Sequence, residues 1–423
     1  MNYCWQRCKI TLVRARIKAI LRQGNSILHY VLLNIIQFLG NLFYRKRQEG
    51  KNCIDDGILV IRLDEIGDMV MMSSFLRELR RGYPKTHITL VVKPAVYNLV
   101  ELCPYVNEIL TFPKANGRCA FYVRLFQSLC FSFRHFRKKK YSLALVPRFD
   151  ADAGYGAGLL AFLSGAARRI GYSEMVLSSK SLSDKGYDGF YTNVLAPDPG
   201  KVRHEVERGI DVLHSLDIHT RDTGLDVWTS EQDDAHAISL LGEKGAQLRV
   251  ALFLGAGSPR REWPVQSFVE TAKILLRQVN IEWVILGNGK NEVEKAAAFF
   301  QSGASCCNLV NQLTLRETIS VMRLCDMYLG GDTGPMHMAA ALGKPGVVLS
   351  CHPVGGDENY CNSPSRFGPY NSDMTILRPI PFSGCEHGCQ GNKPHCITRI
   401  PIEEVVQAVL HIAGRIKGEG GIG

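Results

Sequence analysis

Short apolar runs alternate with segments of helical period along most of the chain. Residues 57–63 (GILVIRL), 88–92, 108–112 and 141–146 are apolar runs of strand length, as expected of parallel strands buried on both faces. Between them, 69–81 carries Val70, Phe75, Leu76 and Leu79 at helical spacing, and 94–102 and 121–136 read as further helices. Residues 173–202 lack a clear period and read as loop; 204–216 is a helix. After the polar tract 220–234 the alternation restarts. Strands are predicted over 249–254, 282–286 and 346–350, and helices over 268–279, 291–302, 313–323, 336–342 and 402–416. Two successive β-α-β series predict an α/β chain of two Rossmann-like domains, 51–225 and 226–423, joined by a crossing near 217–247. A length of 423 residues is more than one ordinary core fills.

Residues 1–50 stand apart. Their apolar run 27–44 is at the lower limit for spanning a bilayer. Asn34, Gln37 and Asn41 interrupt it, three and four apart, and so form one polar stripe of a helix. The net charge of +10 sits mostly here: nine Lys/Arg and one acid give this arm +8, leaving +2 for the rest. A nucleic-acid-binding body would spread its basic residues more widely, so no nucleic-acid partner is expected. Apolar face, polar stripe and basic flanks predict a helix lying in an anionic membrane surface; a transmembrane span, a helix packed on the protein and an unfolded leader are the alternatives. No small-residue cleavage site follows the run, as a cleaved signal peptide would require. The basic run 137–140 suits a helix C-terminus, with a patch for an anionic acceptor or lipid as the other reading.

Candidate chemistry gathers at three places. In 330–350 (GGDTGPMHMAAALGKPGVVLS) Asp332 and Thr333 are N-cap types, Pro335 suits a first helical turn, and Gly343 with Pro345 ends the helix. A loop of small residues entering a helix presents N–H groups, here those of Thr333 and Gly334, to a phosphate or diphosphate. His337 can donate to the same anion. Gly67 and Asp68 end the loop 64–68 after the first strand, where such sheets bind ligands. Gly67 allows close backbone approach. Asp68 is a candidate general base or the cap of the following helix, with Asp64 and Glu65 competing. The third place, 255–263 (GAGSPRREW), offers Ser258 as a phosphate donor and Arg260 and Arg261 as cations. Residues 286–294 (LGNGKNEVE) add a Gly-x-Gly after a strand, without the third glycine of a dinucleotide fingerprint.

Together these segments resemble a known family. Residues 58–84 with the Gly67-Asp68 pair, 253–264 (FLGAGSPRREWP), and Asp332-Thr333-Gly334-Pro335-x-His337 followed by Gly343-x-Pro345 are similar, in order and spacing, to the motifs of glycosyltransferase family 9. These are the heptosyltransferases of bacterial lipopolysaccharide, and the resemblance covers most of 58–410. It implies a GT-B architecture, with an acceptor domain followed by a nucleotide-sugar donor domain. It implies inverting transfer of heptose from ADP-heptose to a lipid-linked core oligosaccharide. Asp68 would be the catalytic base. Arg261, where the family usually has lysine, would stabilise the departing diphosphate, with Arg260 as the alternative contact. Gly67, Ser258, Asp332, Thr333, Gly334, Pro335 and His337 would bind the donor, Gly287 would lie near the nucleoside, and Glu292 would bind ribose hydroxyls. Asp150, Asp152 and Tyr155 fall on the acceptor side. Because that Asp-x-Asp lies in the acceptor half, no metal at the diphosphate and no required cofactor are expected. With the arm 1–50, the reading places the protein peripherally on the cytoplasmic face of the inner membrane. An NAD(P)-dependent oxidoreductase would need Gly-x-Gly-x-x-Gly after the first strand, which is absent. The presence of Asp68, Asp332 and His337 argues against a non-catalytic sugar-nucleotide-binding scaffold.

The fourteen cysteines are mostly scattered in apolar contexts. Cys385, Cys389 and Cys396 cluster, with His387 and His395 interleaved and Cys361 upstream. Their spacing matches neither a zinc ribbon nor a ferredoxin; a structural zinc site, a disulfide and reduced packed thiols stay open.

Overall fold

The computed structural model describes residues 56–113, 121–152, 156–196, 200–243 and 247–419, together with positions 37 and 245. Of the arm read as a membrane-interface helix, only position 37 is described, and Tyr155 also lies outside the described residues. Gln37, one of the three polar-stripe positions, donates from Nε2 to the Gly186 carbonyl at 2.8 Å. Among the described residues no helix is long and apolar enough to cross a membrane.

Among the described residues, two six-stranded parallel sheets carry the fold. The first contains β1 (Gly57–Ile61), β2 (Ile88–Val92), β3 (Glu108–Thr111), β4 (Tyr141–Val146), β5 (Arg168–Tyr172) and β6 (Asn193–Leu195), in the order β3-β2-β1-β4-β5-β6. The second contains β7 (Leu248–Phe253), β8 (Ile281–Leu286), β9 (Cys306–Asn308), β10 (Met327–Gly331), β11 (Gly346–Leu349) and β12 (Met374–Leu377), in the order β12-β11-β10-β7-β8-β9. The two orders are the same topology read from opposite edges. Leu252 of β7 pairs with Leu329 of β10 on one side and Ile285 of β8 on the other. The strand order reverses between β1 and β4 and between β7 and β10, and such switch points open ligand crevices at the carboxyl ends of the strands.

The helices are α1 (Ile66–Met71), α2 (Ser73–Gly82), α3 (Tyr97–Val100), α4 (Phe121–His135), α5 (Ala157–Leu163), α6 (Ser178–Ser183), α7 (Glu205–His214), α8 (Glu231–Leu241), α9 (Val265–Leu275), α10 (Lys290–Phe299), α11 (Leu315–Arg323), α12 (Gly334–Ala341), α13 (Pro364–Phe367) and α14 (Ile402–Glu419). The chain divides into two compact units. One holds β1 with Lys85–Val91 and Phe112–Pro199; the other holds Asp64–Pro84, Val92–Thr111 and Gly200–Gly423. The helices leaving β1 therefore belong to the same unit as the second sheet. That unit's core includes Leu252, Trp263, Phe268, Trp283, Phe299 and Val347. Arg77 of α2 clamps the chain before α8, pairing with Asp226 at 2.5 Å and donating to the Gly224 carbonyl at 2.7 Å. Arg316 of α11 bridges Glu101 at 2.6 Å and Asp233 at 3.1 Å.

Local structure departs from the periodicity in several places. The helix expected over 69–81 starts at Ile66 and is divided at Met72. A capping box explains the early start: Glu65 accepts the Asp68 N–H, and the Glu65 N–H donates to Asp68 Oδ2 at 3.3 Å. Gly67 and Asp68 thus lie in a helix's first turn, not in a loop. Residues 173–202 are not plain loop but contain α6, two short 3-10 turns and β6. Polar anchors order them: Lys180 Nζ donates to the carbonyls of Arg148, Phe149 and Tyr172 at 3.1–3.3 Å, and Asp188 accepts from Ser173 and Glu174. The strands β9, β10 and β12, and the helix α8 inside the expected crossing 217–247, are further elements that the periodic reading does not contain.

Candidate functional site

The site is built where two helices begin. Gly67 is buried, and a Cβ there would stand 2.6 Å from His337 Cδ2. A Cβ at Gly334 would stand 2.9 Å from Ile66 Cγ2 and 3.4 Å from the Gly67 nitrogen. The two glycines let the first turns of α1 and α12 meet backbone against backbone. Gly67 and Asp68 are thereby brought to Gly334 and His337 from a distant part of the sequence. The neighbour that requires glycine at position 67 is therefore His337, a protein group, where the sequence suggested a ligand.

Three carboxylates follow β1, and their surroundings differ. Asp64 is buried. Glu65 is exposed, caps α1 and pairs with Lys93 Nζ at 2.5 Å. Asp68 is half-buried beside the α1–α12 contact and also completes the capping box. The capping role and the site position thus coexist.

At the start of α12, the side chains of Asp332 and Thr333 do not cap the helix, although both are N-cap types. The N-cap residue Thr333 makes no side-chain cap bond, and its hydroxyl donates instead to the Gly331 carbonyl at 3.4 Å. The Met336 N–H donates to the Thr333 carbonyl at 3.1 Å, and the Thr333 side chain leaves the N–H groups before Met336 uncapped. Pro335, in that first turn, removes an N–H the helix ladder would not use. Arg261 lies across this loop, donating from Nη1 to the Asp332 carbonyl at 3.2 Å. Its neighbour Arg260 turns away and donates to the Cys389 carbonyl at 3.4 Å. Of the two arginines, Arg261 is the one at the loop. Ser258, half-buried, starts the same turn and accepts the Arg261 N–H on its carbonyl at 2.9 Å.

Burial sets the charges. The Asp332 carboxyl, 6 % exposed, is pushed up to about 6 by burial, with Arg261 opposing. His337, 4 % exposed, is pushed down to about 3 by burial, helped by nearby His204 and Arg261. At neutral pH it is an uncharged imidazole whose Nδ1 has no hydrogen-bond partner among the described residues. His204, which the sequence did not single out, caps α7: Nδ1 accepts the Val206 N–H at 3.2 Å and Nε2 faces the Gly368 carbonyl at 3.0 Å. That pattern puts its proton on Nε2. Histidine is not an ordinary cap type, so no sequence signal marked it.

Glu292, in the first turn of α10, lies over Gly255, Gly287 and Gly289 at the carboxyl ends of β7 and β8. A Cβ at Gly289 would stand 2.8 Å from Oε2, one at Gly287 would stand 3.0 Å from Cγ, and one at Gly255 would meet Oε1. Gly289 has φ +125° and Gly287 φ +149°, and Asn311 Oδ1 accepts the Gly289 N–H at 2.7 Å.

Asp152, read as an acceptor-side residue, is engaged within its own domain. It is buried, accepts the Ala157 N–H at 2.8 Å at the start of α5, and donates its own N–H to Asp184 at 2.7 Å. Burial first, and the Asp184 carboxylate beside it, push its carboxyl up to about 6 against the pull of Arg148. Asp150 is half-buried. Cys385, Cys389 and Cys396 are free, buried thiols that converge on one another, so no disulfide joins them. The histidine among them is His395; His387 and Cys361 are exposed and stand outside the group.

A model of glycosyltransferase family 9 (heptosyltransferase) matches residues 159–382, more than half of the chain. Lipopolysaccharide heptosyltransferase 2 of Escherichia coli is 26% identical over 305 residues, which cover 69% of this chain and 82% of that protein. Among solved structures, the family 9 glycosyl transferase of Veillonella parvula matches with a TM-score of 0.67 at 21% identity, over 86% of this chain and 99% of that one. The ADP-heptose lipopolysaccharide heptosyltransferase II of E. coli matches with a TM-score of 0.63 at 20% identity, over 85% and 99%.

Proposed function

The chain belongs to glycosyltransferase family 9, the heptosyltransferases, and is a glycosyltransferase of GT-B fold; from that premise we propose that it moves a heptose from ADP-heptose, with inversion, to a lipid-linked lipopolysaccharide core acceptor. The observation that supports the mechanism is the meeting of α1 and α12, where Gly67, next to Asp68 in the chain, packs against Gly334 and His337. Sugar transfer needs a base for the acceptor hydroxyl and a sink for diphosphate charge. Asp68 takes the hydroxyl proton as the acceptor oxygen attacks the anomeric carbon and the bond to the diphosphate breaks. The N–H groups of Thr333 and Gly334, the Ser258 hydroxyl and the Arg261 guanidinium take up the charge that develops. Because His337 is neutral, it supplies a hydrogen bond and leaves the cationic part to Arg261. The planar fork of arginine can grip two phosphate oxygens where lysine grips one. Asp332, Pro335 and Gly67 shape the loop, Gly287 leaves room for the nucleoside, and Glu292 accepts from ribose hydroxyls.

The membrane part of the proposal is supported by α4. Val123, Phe126, Leu129 and Phe133 lie on it at helical spacing, Phe126 and Phe133 each 67% exposed. Arg134 and the run Arg137–Lys140 follow them. An exposed apolar stripe ending in a basic cluster suits the headgroup region of an anionic leaflet. With the arm 1–50 it would hold the enzyme on the cytoplasmic face of the inner membrane, where a lipid-linked acceptor is in reach.

The test is a thermal-shift series against ADP, UDP, GDP, CMP and NAD, followed by a transfer assay with ADP-heptose. Selective stabilisation by ADP is expected, reaching about 2.7 kcal/mol at a hundred times Kd. A UDP or GDP response would keep the transferase and replace the sugar. Selective stabilisation by NAD, or none by any nucleotide, would overturn the reading.

A further inference from the structure

We propose that Cys385, Cys389, His395 and Cys396 bind one divalent transition-metal ion of the zinc class. The four side chains come from a single segment before α14, and their ligand atoms all lie within 4.8 Å of one another. His395 Nδ1 stands 3.7 Å from the Cys385 and Cys389 sulfurs and 3.4 Å from the Cys396 sulfur. Hydrogen bonding does not account for that arrangement. An imidazole Nδ1 has either one proton or one lone pair, so it can serve one thiol and not three. Tetrahedral coordination does account for it. With metal–sulfur and metal–nitrogen bonds of about 2.3 and 2.0–2.1 Å, neighbouring ligand atoms stand about 3.5–3.8 Å apart.

The surroundings fit a closed, structural site. The three sulfurs are buried, and the cysteines belong to the same apolar core as Ile397, Ile400 and Val405. The Gln390 N–H donates to the Cys385 sulfur at 3.4 Å, the kind of outer contact that tunes a thiolate ligand. The His395 ring lies on Phe382 with centroids 4.6 Å apart, and the Arg399 guanidinium stands 3.6 Å from the same ring centroid. The histidine is therefore held in orientation. Three thiolates and an imidazole select zinc or iron over calcium and magnesium, which prefer oxygen. All four positions are taken by protein, so the ion has no open place for substrate. The site adjoins the donor loop without forming part of it: the Cys389 carbonyl receives Arg260, in the turn that carries Arg261.

The test uses the full chain, purified without chelator and without a histidine tag. Metal analysis should find close to one equivalent of zinc or iron, the visible absorption of iron thiolate separating the two. The reduced chain titrated with cobalt(II) alone should develop a thiolate charge-transfer band and the intense visible bands of four-coordinate cobalt, saturating at one equivalent. Cys389→Ser should lose that spectrum, and His395→Cys should keep four-coordinate binding with a spectrum shifted towards all-sulfur ligation. Cys361→Ser and His387→Ala should leave metal content unchanged. Less than about 0.2 equivalent of any transition metal, together with no cobalt spectrum in the reduced wild-type chain, would overturn the proposal. So would a cobalt spectrum that survives both Cys389→Ser and His395→Ala.

Discussion

In the proposed mechanism Asp68 meets two demands with one carboxylate, accepting the Glu65 N–H and taking the proton of the acceptor hydroxyl. The two separate by chemistry, because an amide oxygen can still accept that N–H but cannot take a proton from a hydroxyl. Asp68→Asn should therefore keep its melting temperature close to wild type and lose on the order of 10²-fold or more in kcat. Activity within a few-fold of wild type would remove Asp68 from the chemistry. At the same scale, burial moves two neighbours in opposite directions. The folded value of His337, about 3, lies below the ordinary histidine value. Its contribution to stability is complete above about pH 6.5 and is lost as pH falls towards 3. The folded value of Asp332, about 6, lies above the ordinary carboxylate value. Its contribution is complete below about pH 4 and is lost as pH rises through 6. Urea midpoints between pH 4 and 7 should therefore fall less steeply on acidification in His337→Gln than in wild type. In Asp332→Asn the decline between pH 4 and 6 should steepen, since the opposing contribution is gone. Parallel curves would mean that neither group titrates as its burial requires.

At the scale of elements, the contact of α1 with α12 depends on the absence of a side chain. Gly67→Ala would place a methyl 2.6 Å from His337 Cδ2, and overpacking of this kind costs about 1–3 kcal/mol. The helices would have to part, so a loss of nucleotide-dependent thermal stabilisation should accompany the loss of stability. Gly414, inside α14 with nothing within 4 Å of a Cβ, is the control. Gly414→Ala should be neutral or stabilise by about 0.5–1 kcal/mol through helix propensity alone. If both substitutions behave alike, close approach is not what position 67 requires.

At the scale of the whole molecule, the arm 1–50 joins basic charge to an apolar run in its sequence, and α4 carries exposed apolar side chains ahead of a basic run. Co-sedimentation with anionic vesicles should weaken when 1–50 is deleted. It should weaken further when Phe126→Asp and Phe133→Asp are added, and it should fall with rising salt as surface charge is screened. Binding unaffected by either change would detach the enzyme's function from a lipid surface.

Two β-α-β series, the three motifs and their order were legible in the sequence, because burial on both faces of a parallel sheet imposes apolar runs and phosphate loops require small residues before a helix start. Motif resemblance put Asp68 ahead of Asp64 and Glu65, and Arg261 ahead of Arg260, but the contacts that each of these neighbours makes were not legible. Tertiary contacts distinguish them: Lys93 takes Glu65, the Cys389 carbonyl takes Arg260, and the Asp332 carbonyl takes Arg261. The same holds for the early start of α1, the capping role of His204, the structural role of Asp152 and the recruitment of His395 rather than His387. Each is decided by a partner distant in the chain or by the geometry of a turn. A pattern of apolar positions fixes which residues are buried together in an element, whereas the direction in which a polar side chain points depends on what the completed fold places in front of it.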